Sequence, residues 1–167
     1  IQGMNAISST DKYLSYVAQD GIRFTDMTSS VTAVERLLPD WEKLDKRLLY
    51  KAAQIYWGHT LLTALPGQDA VSGNTEVWMY DALRNAWSIR YDWKLSCFLR
   101  FNEYGEEVLL AGDSTTGQIY KIVPDPYNDG IPVQYKWKSK DLNFGEPERY
   151  KVWPVVFLQV EGEYEQR

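Results

Sequence analysis

Three apolar runs recur at an almost constant interval along this chain, and that interval restricts the fold more than any other feature. Leu14-Ser15-Tyr16-Val17-Ala18, Leu61-Leu62-Thr63-Ala64 and Val108-Leu109-Leu110-Ala111 place their alanines 46 and then 47 residues apart. After a polar turn each leads to a run ending in an aromatic: Gly21-Ile22-Arg23-Phe24, Val77-Trp78-Met79-Tyr80 and Gly117-Gln118-Ile119-Tyr120. A period of roughly 40–50 residues built from short strands is the spacing of β-propeller blades. Aromatic content of 14 %, with seven Trp and twelve Tyr, also favours strands. The predicted class is mainly β: antiparallel four-stranded, propeller-like blades in an incomplete ring, with a short helical insert.

Local patterns give the boundaries. Asp11–Gln19 and Ile22–Met27 read as strands joined at Asp20-Gly21, a dipeptide suited to the positive φ of a hairpin. They form a partial blade over residues 11–27. From Ser29 to Ala53 the spacing of Val31, Val34, Leu37, Leu38, Trp41, Leu44, Leu48 and Leu49 turns helical, with Pro39 as a break. Helices are expected over 31–37 and 40–49, a helical insert spanning 31–49. Residues 51–92 read as one complete blade, with strands Lys51–Tyr56, Thr60–Leu65, Thr75–Asp81 and Ala86–Asp92. Residues 95–139 read as another, with Leu95–Phe101, Glu107–Ala111, Gln118–Val123 and Ile131–Ser139. A terminal strand follows over 148–160, where Pro154 marks an edge or bulge, and the polar tail Glu161–Arg167 is expected to fray. Two blades and a part of one do not close a ring. Residues 1–167 are therefore expected to be a single β-rich domain or a fragment of a longer chain, with exposed sheet edges that invite association.

Composition narrows the classes. A net charge of −5 gives no general drive towards nucleic acid or anionic lipid, so neither is expected as a direct partner. Cys97 is the sole cysteine and forms no internal disulfide, which points to a reducing or non-secreted setting. Within its apolar strand it is expected to be a small buried hydrophobe. No apolar run approaches membrane-spanning length.

No group of residues makes a persuasive reaction centre. His59, the only histidine, lies in a tight Trp57-Gly58-His59 turn with no nucleophile motif. Glu103, Glu106 and Glu107 read as a solvated turn, and Asp113–Gly117 as a turn held by the aspartate's own oxygens. Asp125, Asn128 and Asp129 lack the spacing of a calcium loop. Lys136, Lys138 and Lys140 alternate along one strand face, which fits a solvated edge better than a phosphate site. Catalytic, cofactor and metal residues are all expected to be none, and binding residues stay unassigned.

Tyr80-Asp81, followed by Trp87, resembles the kelch-type blade, although the double glycine of such blades is absent. There Asp81 would accept turn N–H groups and Trp87 would pack between sheets.

Over most of the chain, Tyr13 to Val160, a succession of segments resembles structural proteins of tailed bacteriophages. These are Gln19-Asp20-Gly21-Ile22, Tyr50–Tyr56, Leu61–Pro66, Tyr80–Trp87, Gly117–Tyr120, Asp129–Pro132, Leu142–Pro147 and Lys151-Val152-Trp153. The resemblance implies a virion component of the tail or head–tail connection, assembled in the bacterial cytoplasm. Such a protein would be no enzyme and would dock other virion proteins or copies of itself through sheet edges and loops. A carbohydrate-binding module is the alternative, with Trp57, Trp93 or Trp137 as stacking platforms.

Overall fold

The computed structural model describes residues 3, 5–32, 37–91 and 93–123, together with the backbone of 127–128 and 131–132. The chain divides into two units, Ile1–Asp125 and Pro126–Arg167. In the second unit, β12 (Tyr127–Asn128) pairs antiparallel with β13 (Ile131–Pro132). The predicted strands beyond Pro132, the three alternating lysines, Asp125 and Asp129 lie outside the described residues, as does the side chain of Asn128.

The first unit is mainly β and consists of three antiparallel sheets. Sheet A runs in chain order through β1 (Ile7–Ser9), β2 (Leu14–Ala18), β3 (Gly21–Thr25) and β4 (Ser30–Thr32). Sheet B does the same with β5 (Ala53–Trp57), β6 (Thr60–Leu65), β7 (Glu76–Asp81) and β8 (Ala86–Arg90). Sheet C holds β9 (Leu95–Glu103), β10 (Glu106–Asp113) and β11 (Ile119–Ile122).

Sheet A has four strands where the sequence pattern indicates two. β1 and β4 are three residues long and rich in serine, so neither shows a usable alternation. Val31 and Thr32, expected to open a helix, instead pair with Phe24 and Arg23 of β3. These β-branched residues close the hydrogen-bonding edge that β3 would otherwise leave open. Residues 33–36 of that expected helix are outside the described set.

The second expected helix, 40–49, is also corrected. It is replaced by α1 (Leu38–Trp41) and a 3₁₀ segment, Lys46–Lys51. Pro39 lies in the first turn of α1, where its missing N–H costs nothing. The Asp45 N–H, which a continuous helix would turn back to Trp41, donates to the Pro66 carbonyl at 3.1 Å. The Asp45 carboxylate then caps the 3₁₀ segment by accepting from the Arg47 N–H at 3.0 Å.

Side-chain alternation shows how the sheets stack. Val17 and Ile22 of sheet A join Tyr56, Leu61, Leu65 and Trp78 of sheet B in one buried cluster. Ala53, Leu62, Ala64 and Val77, on the opposite face of sheet B, join Leu95, Leu109 and Ala111 of sheet C in a second. Sheet B is thus covered on both faces. That accounts for the unbroken burial of β6 from Leu61 to Leu65, the pattern of a strand with no wet side. Trp41 adds an indole to the A–B cluster, edge-on to Trp78 at 5.7 Å, and its Nε1–H donates to the Gln19 carbonyl at 3.2 Å.

The first strands of successive sheets lie side by side, β1 next to β5 and β5 next to β9. The Gln54 N–H reaches the Asn5 carbonyl at 2.8 Å across the first of these junctions. All three repeat alanines fall on the second strand of their sheet. Ala64 and Ala111 meet in the B–C cluster. Ala18 is one residue out of phase, and its neighbour Val17 takes the buried place.

Candidate functional site

Cross-strand partners share a face, so the register of sheet C sorts its residues into two sets. Leu109 and Ala111 point at sheet B, with Phe98, Tyr120 and Ile122 packed against them. Cys97, Leu99, Phe101, Val108, Leu110 and Ile119 occupy the other face. Here Leu99 is 58 %, Phe101 50 % and Ile119 74 % exposed. At its margin, Lys121 pairs with Glu103 at 2.6 Å. The face therefore has an apolar centre with an ion pair at its border.

Sheet A ends the stack differently. Its outer face carries Ser9, Tyr16, Arg23, Thr25, Ser30 and Thr32 together with Ile7 and Leu14, of which Ile7 is exposed. The Arg23 guanidinium bonds Asp20, and the Tyr16 hydroxyl meets Ser30 Oγ at 3.1 Å. Sheet A's end mixes Ile7 and Leu14 with an internally bonded polar group, while the outer face of sheet C has a mainly apolar centre.

Cys97 corrects an expectation: it is exposed. The run that contains it alternates, and Cys97 falls on the outward side with Leu99 and Phe101. Gly112 opposite makes room for it, since a β-carbon there would lie 2.8 Å from the Cys97 Sγ.

The sheet connections gather a second set of groups. Asn74, 1 % exposed, donates through Nδ2 to the carbonyls of Lys51 and Leu95, each at 2.9 Å. The Asn74 backbone carbonyl accepts from the Ser114 hydroxyl at 2.8 Å. Side chain and backbone of this one residue therefore tie the approach to β5, the start of β9 and the β10–β11 turn together. Glu76, at the head of β7, is 9 % exposed and accepts from the Trp78 indole N–H at 2.8 Å. Burial pushes its carboxyl above the ordinary glutamate value, against the lowering effect of that hydrogen bond. Neither residue is marked by the sequence pattern. The available signal is a polar residue directly before the apolar run Val77-Trp78, which alternation alone assigns to a loop.

The structure places the remaining sequence candidates as follows. The Asp81 Oδ1 accepts from the N–H groups of Leu83 and Arg84 at 2.9 and 3.0 Å, and Trp87 packs against Tyr80 and Trp78 in the A–B cluster. Trp57 and Trp93 are partly buried against the B–C cluster, with the Arg90 guanidinium 5.0 Å from the Trp93 ring. Trp137 lies outside the described residues. His59 occupies the β5–β6 turn at φ 65°. Its Nδ1 is 3.5 Å from an Asp11 oxygen that also accepts from the Tyr56 hydroxyl. Burial and that carboxylate hold the Tyr56 hydroxyl up at about 12. Asp113 binds its own turn as expected, accepting from Thr115 N–H at 2.6 Å. Among the described residues no three His, Cys, Asp or Glu side chains gather to hold a metal, and no helix is long and apolar enough to cross a membrane. No protein-family model and no curated protein matches the chain.

Proposed function

We propose that this chain is a structural and interaction module that works by stacking sheet on sheet, with the outer face of sheet C as its docking surface. The single observation that supports this is the contrast between the two ends of the stack. Sheet A finishes in a mixed face whose Arg23, Tyr16 and Ser30 are bonded to neighbours, whereas sheet C presents Leu99, Phe101 and Ile119 to solvent around half-buried Leu110. Sheet C already buries Leu109 and Ala111 against sheet B. A further antiparallel sheet, from a neighbouring subunit or another copy, would bury its other face in the same way.

The succession of chain-ordered sheets with adjacent first strands favours a propeller-like reading of the stack. The sequence resemblance to tailed-phage structural proteins supplies the setting: a virion, where subunits meet through such faces. In this reading the chain carries out no reaction.

Light scattering across a concentration series tests the proposal. The wild-type chain is expected to associate. Leu99→Lys with Ile119→Lys is expected to stay monomeric while keeping its β circular-dichroism spectrum, because both positions are solvent-facing. A wild-type chain that is monomeric at every concentration would refute the proposal.

A further inference from the structure

The connections between sheets enclose a polar cleft that plays no part in docking. It has a volume of about 470 Å³, and α1, the β6–β7 connection and the link from β8 to β9 form its walls. That size is within the range of small-molecule sites. None of its residues belongs to the outer face of sheet C.

Glu76 is the buried acid in the cleft wall. Its Oε1 is engaged by the Trp78 indole N–H. Its Oε2 stands 3.1 Å from the point where a β-carbon on residue 67 would lie, so Gly67 in the wall leaves that oxygen room. Oε2 accepts no hydrogen bond from the described residues. Oε2 is not one of the fully buried, unpartnered polar atoms, so it is open to the cleft, where a ligand hydroxyl can donate to it. Lys43, whose ammonium is bound to Asp40 at 2.7 Å, makes no hydrogen bond to Oε2. Asp69 and Lys94 also line the cleft, and neither forms an ion pair among the described residues.

The mixture of signs selects the ligand. With Asp40 and Lys43 paired to each other, two carboxylates (Asp69 and Glu76) disfavour an anion and one ammonium (Lys94) disfavours a free cation. A neutral molecule rich in hydroxyl groups satisfies both, because each hydroxyl donates to a carboxylate and accepts from an ammonium. Tyr91, 67 % exposed, adds an aromatic face against which the C–H side of a sugar ring packs.

We propose that this cleft binds a saccharide, with Glu76 Oε2 and Asp69 accepting from its hydroxyls, Lys94 donating to them and Tyr91 stacking on the ring.

A glycan array probed with the 167-residue chain tests this, followed by NMR titration of the best-retained glycan into wild type, Tyr91→Ala and Glu76→Gln. Glu76→Gln preserves an acceptor for Trp78 and Tyr91→Ala removes an exposed ring, so both variants are expected to fold, as circular dichroism would confirm. The expected result is a retained glycan whose affinity falls about tenfold in each variant, the scale of a lost charged hydrogen bond for Glu76→Gln and of lost ring packing for Tyr91→Ala. An array that retains no glycan overturns the proposal. A bound glycan whose affinity is indifferent to both substitutions overturns it equally.

Discussion

Glu76 shows how far a single side chain's properties depend on what the rest of the chain places over it. At the head of β7 its carboxyl is taken out of water, and its pKa rises above the ordinary glutamate value. The folded state therefore holds this proton more tightly than the unfolded state. The stabilisation is complete below the unfolded value and is lost as pH rises through the folded one. Glu76→Gln carries no such proton. Urea midpoints measured upward from pH 4.5, the unperturbed value, should show wild type losing stability relative to Glu76→Gln. Parallel profiles would remove the desolvation account.

Asp113 has the opposite sign. Burial pushes its carboxyl up, but hydrogen bonds from Thr116 and Thr115 outweigh that and bring it down to about 2. What it contributes is present at neutral pH and disappears in acid.

At the scale of elements, the hairpins explain much of the register. Gly58-His59 and Tyr104-Gly105 are two-residue loops with both φ angles positive, the geometry that matches strand twist. Tyr104 is a poor residue for that conformation, and its side chain is fully exposed at 102 %, so it gains nothing by packing. Tyr104→Asn should stabilise the protein by about 0.5–1 kcal/mol, because asparagine tolerates the left-handed region. Thermal and urea unfolding would measure the gain, and a loss of stability would contradict the assigned turn.

Legibility in the sequence follows the same physics. Thr60–Leu65 and Glu106–Asp113 announce themselves because long apolar runs bounded by turn residues have few other uses. Ile7–Ser9 and Ser30–Thr32 do not, since three-residue strands have no period to detect. The helical spacing from Val31 to Leu49 misleads because several of its apolar residues anchor into the A–B cluster from short turns rather than from one continuous face. Cys97 was not legible from alternation alone: Leu95, Cys97 and Leu99 alternate, but a register shift between Gly112 and Asp113 leaves Leu95 in the B–C cluster while Cys97 and Leu99 face outward. Glu76 and Asn74 were not legible, because their burial arises only when the sheets are stacked.

The whole first unit is an ordered stack with unlike ends, and its repeat is physical as well as textual. Ala64 and Ala111 are small because two sheets approach each other there, and the neighbouring Leu62 and Leu109 fill the space around them. At the other junction Trp41, Trp78 and Trp87 do the filling, and the phase slip at Ala18 belongs to that bulkier packing. Sheet B, covered on both faces, is expected to be the last to open. In the proposed reading, the outer face of sheet C is the surface a partner would cover.

Cys97 lies on that outer face and reports on it without any substitution. The most direct measurement is its rate of alkylation as a function of protein concentration, in wild type and in Leu99→Lys with Ile119→Lys. A covered docking face predicts that the wild-type rate falls as concentration rises, while the double variant reacts at one fast rate throughout. A wild-type rate independent of concentration, equal to that of the variant, would contradict docking through sheet C.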